Sequence, residues 1–261
     1  SDLRGDPLAA ITYRRFLRSA RAIVAAVERH LDRCERDGER PDVVVMCNGL
    51  FLFEAIAAEI CRRRGIDVVT YERGLIKETL IFRLNAPACL MDIDPAWEMW
   101  KDHALTPEEE AQLDDYLDER RHGKRTIDRY WDDVVFQTDG RARRADGRRQ
   151  IVLLPNLTWD SAVIGRAAAY DGLEEWIVDT IREVERRGDV DLVIRIHPAE
   201  TKLPGKQTRE PVADLIARSF PDGLPDCVRV VGSDDPTSSY SIIEESDLVV
   251  VFSSTTGLEA A

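Results

Sequence analysis

The chain has 261 residues, 44% of them hydrophobic and 33% charged, with a formal net charge of −13. That is enough chain and enough apolar side chain for about two domains of ordinary size, and a field this negative repels polyanions, which sets nucleic acid aside as a partner. The five cysteines (Cys34, Cys47, Cys61, Cys89 and Cys227) include no C-x-x-C pair, which argues against structural zinc and against a disulfide framework and suits reduced cytosolic thiols.

The first predicted element is a helix over residues 8–36, where Ile11, Phe16, Ile23, Val27 and Leu31 fall on one stripe. Residues 42–46, Asp-Val-Val-Val-Met, read as a buried parallel strand that stops at Cys47-Asn48-Gly49. A helix over 50–64 closes at Gly65, and 66–71 forms the next strand, ending at Glu72-Arg73-Gly74. This is a β-α-β unit, whose crossover makes the two strands parallel. The middle, 92–149, is mixed and charged. Within it Thr106-Pro107-Glu108-Glu109 starts a helix that runs to residue 121, and the Gly- and Arg-rich stretch 141–149 reads as a linker.

A second α/β unit begins with a strand at 151–155. It continues with a helix at 173–187, a strand at 191–196, a helix near 211–219, a strand at 228–231, a short helix near 239–245 and a strand at 248–252. The last strand leads into Ser253-Ser254-Thr255-Thr256-Gly257-Leu258-Glu259, where a new helix should open. The fold class expected is therefore α/β with two Rossmann-like domains, residues 1–145 and 146–261, the second incomplete at its carboxyl end. No stretch approaches the roughly 20 apolar residues needed to span a bilayer, and no secretory leader pattern opens the chain, so a cytoplasmic protein is expected.

Ligands of open parallel sheets bind beyond the carboxyl ends of the strands, which singles out four loops. Ser253, Ser254, Thr255, Thr256 and Gly257 offer hydroxyls, helix-start N–H groups and a glycine, a phosphate cradle without lysine. An ordinary N-cap would use the same residue types. His197, delivered at a strand end before Pro198, suits a leaving phosphate. It can equally be a histidine that bonds a backbone carbonyl. Glu72 can act as a general base and Arg73 can bind an acidic acceptor, or both can be solvated turn residues. Asn156, Trp159 and Asp160 carry amide, indole and carboxylate groups of the kind that bind sugars, although Trp159 also reads as a buried anchor. Two patterns are set aside. Asp92-Ile93-Asp94 mimics a metal-binding D-x-D but reads as a turn, and Asn48-Gly49 lacks the further glycines of a dinucleotide fingerprint.

In order and spacing, Asn156 to Asp160, Glu175-Trp176, Ile194 to Glu200, Thr208 to Pro211, Ser238-Ser239-Tyr240 and Ser253 to Glu259 resemble the capsule polysaccharide biosynthesis family. These are bacterial glycosyltransferases of the two-Rossmann GT-B type, related to Kdo- and sialyltransferases. Tyr71-Glu72-Arg73-Gly74 is similar to the Glu-Asp-Gly corner of the wider group. The resemblance implies a nucleotide-sugar donor on the second half and a saccharide or glycolipid acceptor on the first, near Asn48 and Arg73. It implies that His197 and the Ser253-Ser254 pair contact the donor phosphate. Arg195, Glu200, Arg209, Ser239, Tyr240 and Glu259 would line the donor site beside Asn156 and Trp159. The chain departs from the family at Arg73, where the second acid would stand, so the base is Glu72 or lies elsewhere, at Asp160. The chemistry expected is inverting transfer with no cofactor and no metal, at the inner face of a membrane beside its assembly machinery. A non-hydrolysing nucleotide-sugar epimerase and a non-catalytic nucleotide- or polysaccharide-binding subunit are the alternatives.

Overall fold

The computed structural model describes residues 5–74, 76, 78–90, 93–121, 148–160, 163, 169–202 and 208–260. The protein is α/β, and its contacts divide it between His103 and Ala104 into two compact units. The expected linker at 141–149 lies almost wholly outside the described residues.

The first unit opens with α1 (Pro7–Asp37). Asp6 caps it by accepting from the N–H groups of Leu8 and Ala9 at 2.8 and 3.1 Å, with Pro7 in the first turn. Gly38 ends it in the left-handed region at φ 73°. β1 (Val43–Cys47), α2 (Leu52–Arg63) and β2 (Asp67–Arg73) follow, with β1 and β2 parallel as the sequence predicts. Leu31 of α1 packs with Ala57, Ile60 and Cys61 of α2 and with Met46 and Val68 of the strands. Arg64, just past α2, holds α1 from outside by pairing with Glu28, Asp32 and Glu35.

Four departures from the sequence reading appear in this unit. The α1 stripe is buried only at its carboxyl end, where Leu31 is covered while Phe16 is exposed, and Ile11 lies off the stripe, about 140° from Phe16 at 100° per residue. β1 is not a fully buried strand, since Val43 and Val45 face solvent and only Met46 of that strand is buried. A third strand, β3 (Leu80–Leu84), pairs antiparallel with β2 and makes the sheet mixed, in the order β1-β2-β3. A 3-10 turn (Ala88–Leu90) and α3 (Asp94–Trp100) complete the unit. Asp94 therefore sits in the first turn of a helix and not in an isolated turn, while Asp92 lies outside the described residues.

The second unit begins with α4 (Pro107–Arg121), held at its start by a reciprocal pair: Thr106 N–H donates to Glu109 and Glu109 N–H donates to the Thr106 hydroxyl. After it come β4 (Arg149–Leu154), α5 (Leu173–Arg187), β5 (Val190–Arg195), α6 (Ala199–Lys202), α7 (Val212–Ser219), β6 (Val228–Val231), α8 (Ser239–Glu244), β7 (Leu248–Val251) and α9 (Thr256–Glu259). The four strands are parallel, in the order β6-β5-β4-β7. Alternate side chains feed two cores. Leu153, Leu192, Ile194 and Ile196 pack on α5 and α7 through Ile177, Ile181, Leu215 and Ile216. Val152, Leu154, Val193 and Val231 pack on Ile242 of α8. Each large apolar side chain so buried stabilises the fold by about 1.5–3 kcal/mol before entropy is charged.

The strand order fixes where a ligand can bind. From β4 the chain builds outward to β5 and β6, then returns to place β7 on the other side of β4. The winding reverses between β4 and β7, and in sheets wound this way the ligand crevice is expected at that reversal.

Candidate functional site in the second unit

The crevice is framed by residues 155–160 after β4 and 252–257 after β7, with His197 after the neighbouring β5. Asn156 is buried and turns its amide oxygen onto the N–H of Leu157 at 2.7 Å. Trp159 donates its indole N–H to Thr208 at 2.9 Å and leaves 40% of its surface exposed. Its polar edge is thus anchored while part of its surface remains open to a ligand.

His197 accepts the N–H of Ala199 on Nδ1 at 3.0 Å, so the neutral ring carries its proton on Nε2. Burial pulls its pKa down to about 4, against the pull of the Asp160 carboxylate and with help from the charge of Arg195. At neutral pH the ring is therefore a hydrogen-bond donor and not a cation. Asp160 and His197 lie near enough to interact electrostatically, and they leave adjacent strands.

In the loop after β7, Ser254 Oγ accepts from Thr256 N–H at 3.2 Å and lies 3.0 Å from the Thr256 hydroxyl. The Gly257 N–H returns to the Ser254 carbonyl. Part of the expected cradle is thus closed on itself, while Thr255 is exposed and Ser253 is half-buried. A Cβ on Gly257 would stand 2.8 Å from Val251 Cγ2. Gly257 is required because α9 crosses β7 closely, and not because the turn needs a positive φ.

Several expected donor residues instead hold the frame together. Arg195 is buried, and its guanidinium donates to the carbonyls of Gly232, Asp235 and Thr237, fixing the β6–α8 loop under the site. Burial pulls its pKa down and Asp235 opposes. Glu200 is buried and accepts the N–H of Val212 at 2.9 Å, capping α7. Burial raises its pKa, with Asp214 adding to the rise. Glu259 receives the Tyr240 hydroxyl, the Tyr116 hydroxyl at 3.3 Å and an ion pair from Arg120 at 2.6 Å, which fastens α4 to α8 and α9. Ser239 lies inside α8, whose capping hydroxyl is Ser238. Arg209 is exposed.

Thr208 and Ser238 lie in motifs the sequence marks without a role of their own, whereas Tyr116 and Arg120 were not singled out. Ser238 carried the ordinary cap signal. The other three are recognisable only through partners distant in the chain.

Beside the crevice, between α5, α7 and Thr158 and Phe252, runs an open groove of about 820 Å³. Asp171, Glu174, Glu175, Asp179 and Glu210 line it against Arg182. Such a lining repels phosphate and suits a ligand rich in hydroxyl groups. Among the described residues no group of three or more His, Cys, Asp or Glu is placed to hold a metal ion.

In the first unit, the turn after β1 holds Asn48 at φ 59° and Gly49 at φ 85°. Asn48 is buried, accepts Leu50 N–H and donates its amide to Glu72 Oε2 at 2.7 Å. Glu72 Oε1 accepts the N–H of Arg73 at 2.8 Å. Asn48 and Glu72 thus meet where β1 and β2 end, while Arg73 is exposed. A Cβ on Gly49 would meet Thr70 at 2.8 Å and Pro87 at 3.0 Å. Asn48 takes the left-handed geometry that asparagine tolerates, and this turn presents its amide to the Glu72 carboxylate.

No known protein family, no curated protein and no solved structure matches the chain.

Proposed function

We propose that the chain is a nucleotide-sugar-dependent glycosyltransferase built on two Rossmann-like units, acting on a saccharide or glycolipid acceptor. What supports this reading most is the second unit's crevice. Hydroxyl residues after β7, an amide, an indole and a carboxylate after β4, and a neutral histidine after β5 all leave the carboxyl edge of adjacent strands at the reversal of winding. These groups match the parts of a nucleotide sugar: hydroxyls for phosphate, indole and carboxylate for the sugar.

In this reading the donor phosphate lies against the hydroxyls of Ser253 and Thr255. His197 gives it an Nε2–H hydrogen bond, which strengthens as charge builds on the leaving oxygen. Arg195 and Glu200 position the site and do not touch the donor. In the first unit Glu72, held by Asn48 and the Arg73 N–H, is the base for the acceptor hydroxyl. Direct attack on the anomeric carbon inverts it, and no metal is called for. A nucleotide-binding subunit without catalysis is the second reading, favoured by Arg73 at the position where the resemblance implies an acid.

The test is incubation with CMP-, UDP-, GDP- and dTDP-sugars. Release of free nucleotide, lost in His197→Ala with the fold intact by circular dichroism, is the expected result. An isomerised donor would make the protein an epimerase. Binding without turnover would make it a subunit.

A further inference from the structure

α1 is about 46 Å long at 1.5 Å per residue, and α2, its partner in the unit, only about 18 Å. The α2 contact is made by the carboxyl-terminal part of α1, around Val27 and Leu31. The same apolar face continues toward the amino terminus without cover. At 100° per residue, Tyr13, Phe16, Leu17, Ile23, Val24 and Val27 fall within an arc of about 120°. Tyr13, Phe16, Leu17 and Val24 are 51, 55, 42 and 41% exposed. The opposite arc carries Arg14, Arg15, Arg18 and Arg21, all exposed, with Ile11 among them, and no acidic residue occurs between Asp6 and Glu28.

In a chain of net charge −13, this half-helix is locally cationic. A second copy of the chain is a poor occupant. The carboxyl-terminal part of the face is already engaged, so only the two amino-terminal halves could meet, and they would cover the apolar arc while leaving the arginines of the opposite arc without acidic partners. Nucleic acid would use the arginines and leave the apolar arc in water. A bilayer with acidic headgroups satisfies both arcs: the apolar side chains enter the acyl boundary, and the arginines stay at headgroup level. With a screening length of about 8 Å at physiological salt, the acidic remainder of the chain does not cancel this local attraction. No described helix is long and apolar enough to cross a membrane, so α1 would lie in the interface and not span it.

We propose that the amino-terminal half of α1 is a docking surface for an anionic phospholipid bilayer. The whole chain is mixed with vesicles of phosphatidylcholine alone or of phosphatidylcholine and phosphatidylglycerol at 3:1, and pelleting is measured. Binding to the anionic vesicles only, weakened by 0.5 M salt, is expected. Each arginine near the surface contributes about 1 kcal/mol, or about five-fold. Arg18→Glu with Arg21→Glu should therefore lower partitioning by at least about 25-fold. Phe16→Ser with Leu17→Ser should lower it as well, with helix content and unfolding midpoint unchanged because these side chains touch no core. Equal pelleting with neutral vesicles, or full binding by the serine variant, would overturn the proposal. So would a wild-type dimer that the serine variant dissolves while vesicle binding is absent.

Discussion

The two sheets of this protein are made from similar residues and live in different environments. β5 of the second unit is buried along its whole length, with helices on both faces. β1 of the first unit, Val-Val-Val-Met-Cys, is equally apolar, yet Val43 and Val45 are 46 and 61% exposed, and Phe82 and Leu84 of β3 are 58 and 63% exposed. An apolar run specifies a strand but does not say how many of its faces are covered. What decides is the supply of helices. The second unit returns a helix to each face of its sheet, whereas the first places α2 on one face and then spends its next segment on an antiparallel strand.

The contrast should show in stability. Ile194→Ala empties a site with no exposed surface and should cost about 2–5 kcal/mol. Val45→Ala on the open face should stay within about 0.5 kcal/mol. Denaturant unfolding of both variants measures this directly. Equal losses would mean that the open face is covered in solution.

The next effect belongs to His197. Its folded pKa of about 4 lies below the ordinary 6.5, so the unfolded chain takes up the proton first. The histidine's contribution is complete above pH 6.5 and is lost as pH falls toward 4, by up to about 3 kcal/mol at 1.36 kcal/mol per pH unit. Unfolding free energies of the protein and of His197→Gln, compared at pH 7 and 4.5, should differ in pH dependence by an amount of that order. Parallel curves would mean that the ring is not held neutral.

Gly257→Ala comes third. Its Cβ would press on Val251 at 2.8 Å, at a cost of about 1–3 kcal/mol. Gly172→Ala, with nothing within 4 Å of the added carbon, should cost less. A smaller loss at Gly257 than at Gly172 in thermal unfolding would contradict the close crossing of α9 over β7.

Much of the second unit was legible in sequence because local signals agree with its packing. The helix Leu173–Arg187 and the strand Val228–Val231 are observed at the predicted bounds. Carboxylates in the first turn, arginines in the last and a left-handed Gly188 mark the helix. β3 and α3 were missed. β3 is short and exists through pairing with β2, and Asp94-Pro95 reads as a turn until the helix that follows is seen. In the site, loop positions were readable because strand ends are readable. The roles of Arg195, Glu200 and Glu259 were not. Each looks like a ligand contact in sequence, and each is engaged by groups remote from it: the carbonyls of 232–237, the start of α7, and α4.

The central claim is that the crevice at the β4–β7 reversal binds the phosphate of a nucleotide sugar. Calorimetric titration with nucleoside diphosphates and the matching nucleosides, on the protein and on Ser253→Ala, tests it most directly. Charge-assisted hydrogen bonds contribute about 1.5–3 kcal/mol each, so the variant should bind the diphosphate about ten- to a hundred-fold more weakly while nucleoside affinity barely changes. Equal losses for both ligands, or no binding of any nucleotide by the unaltered protein, would contradict the account.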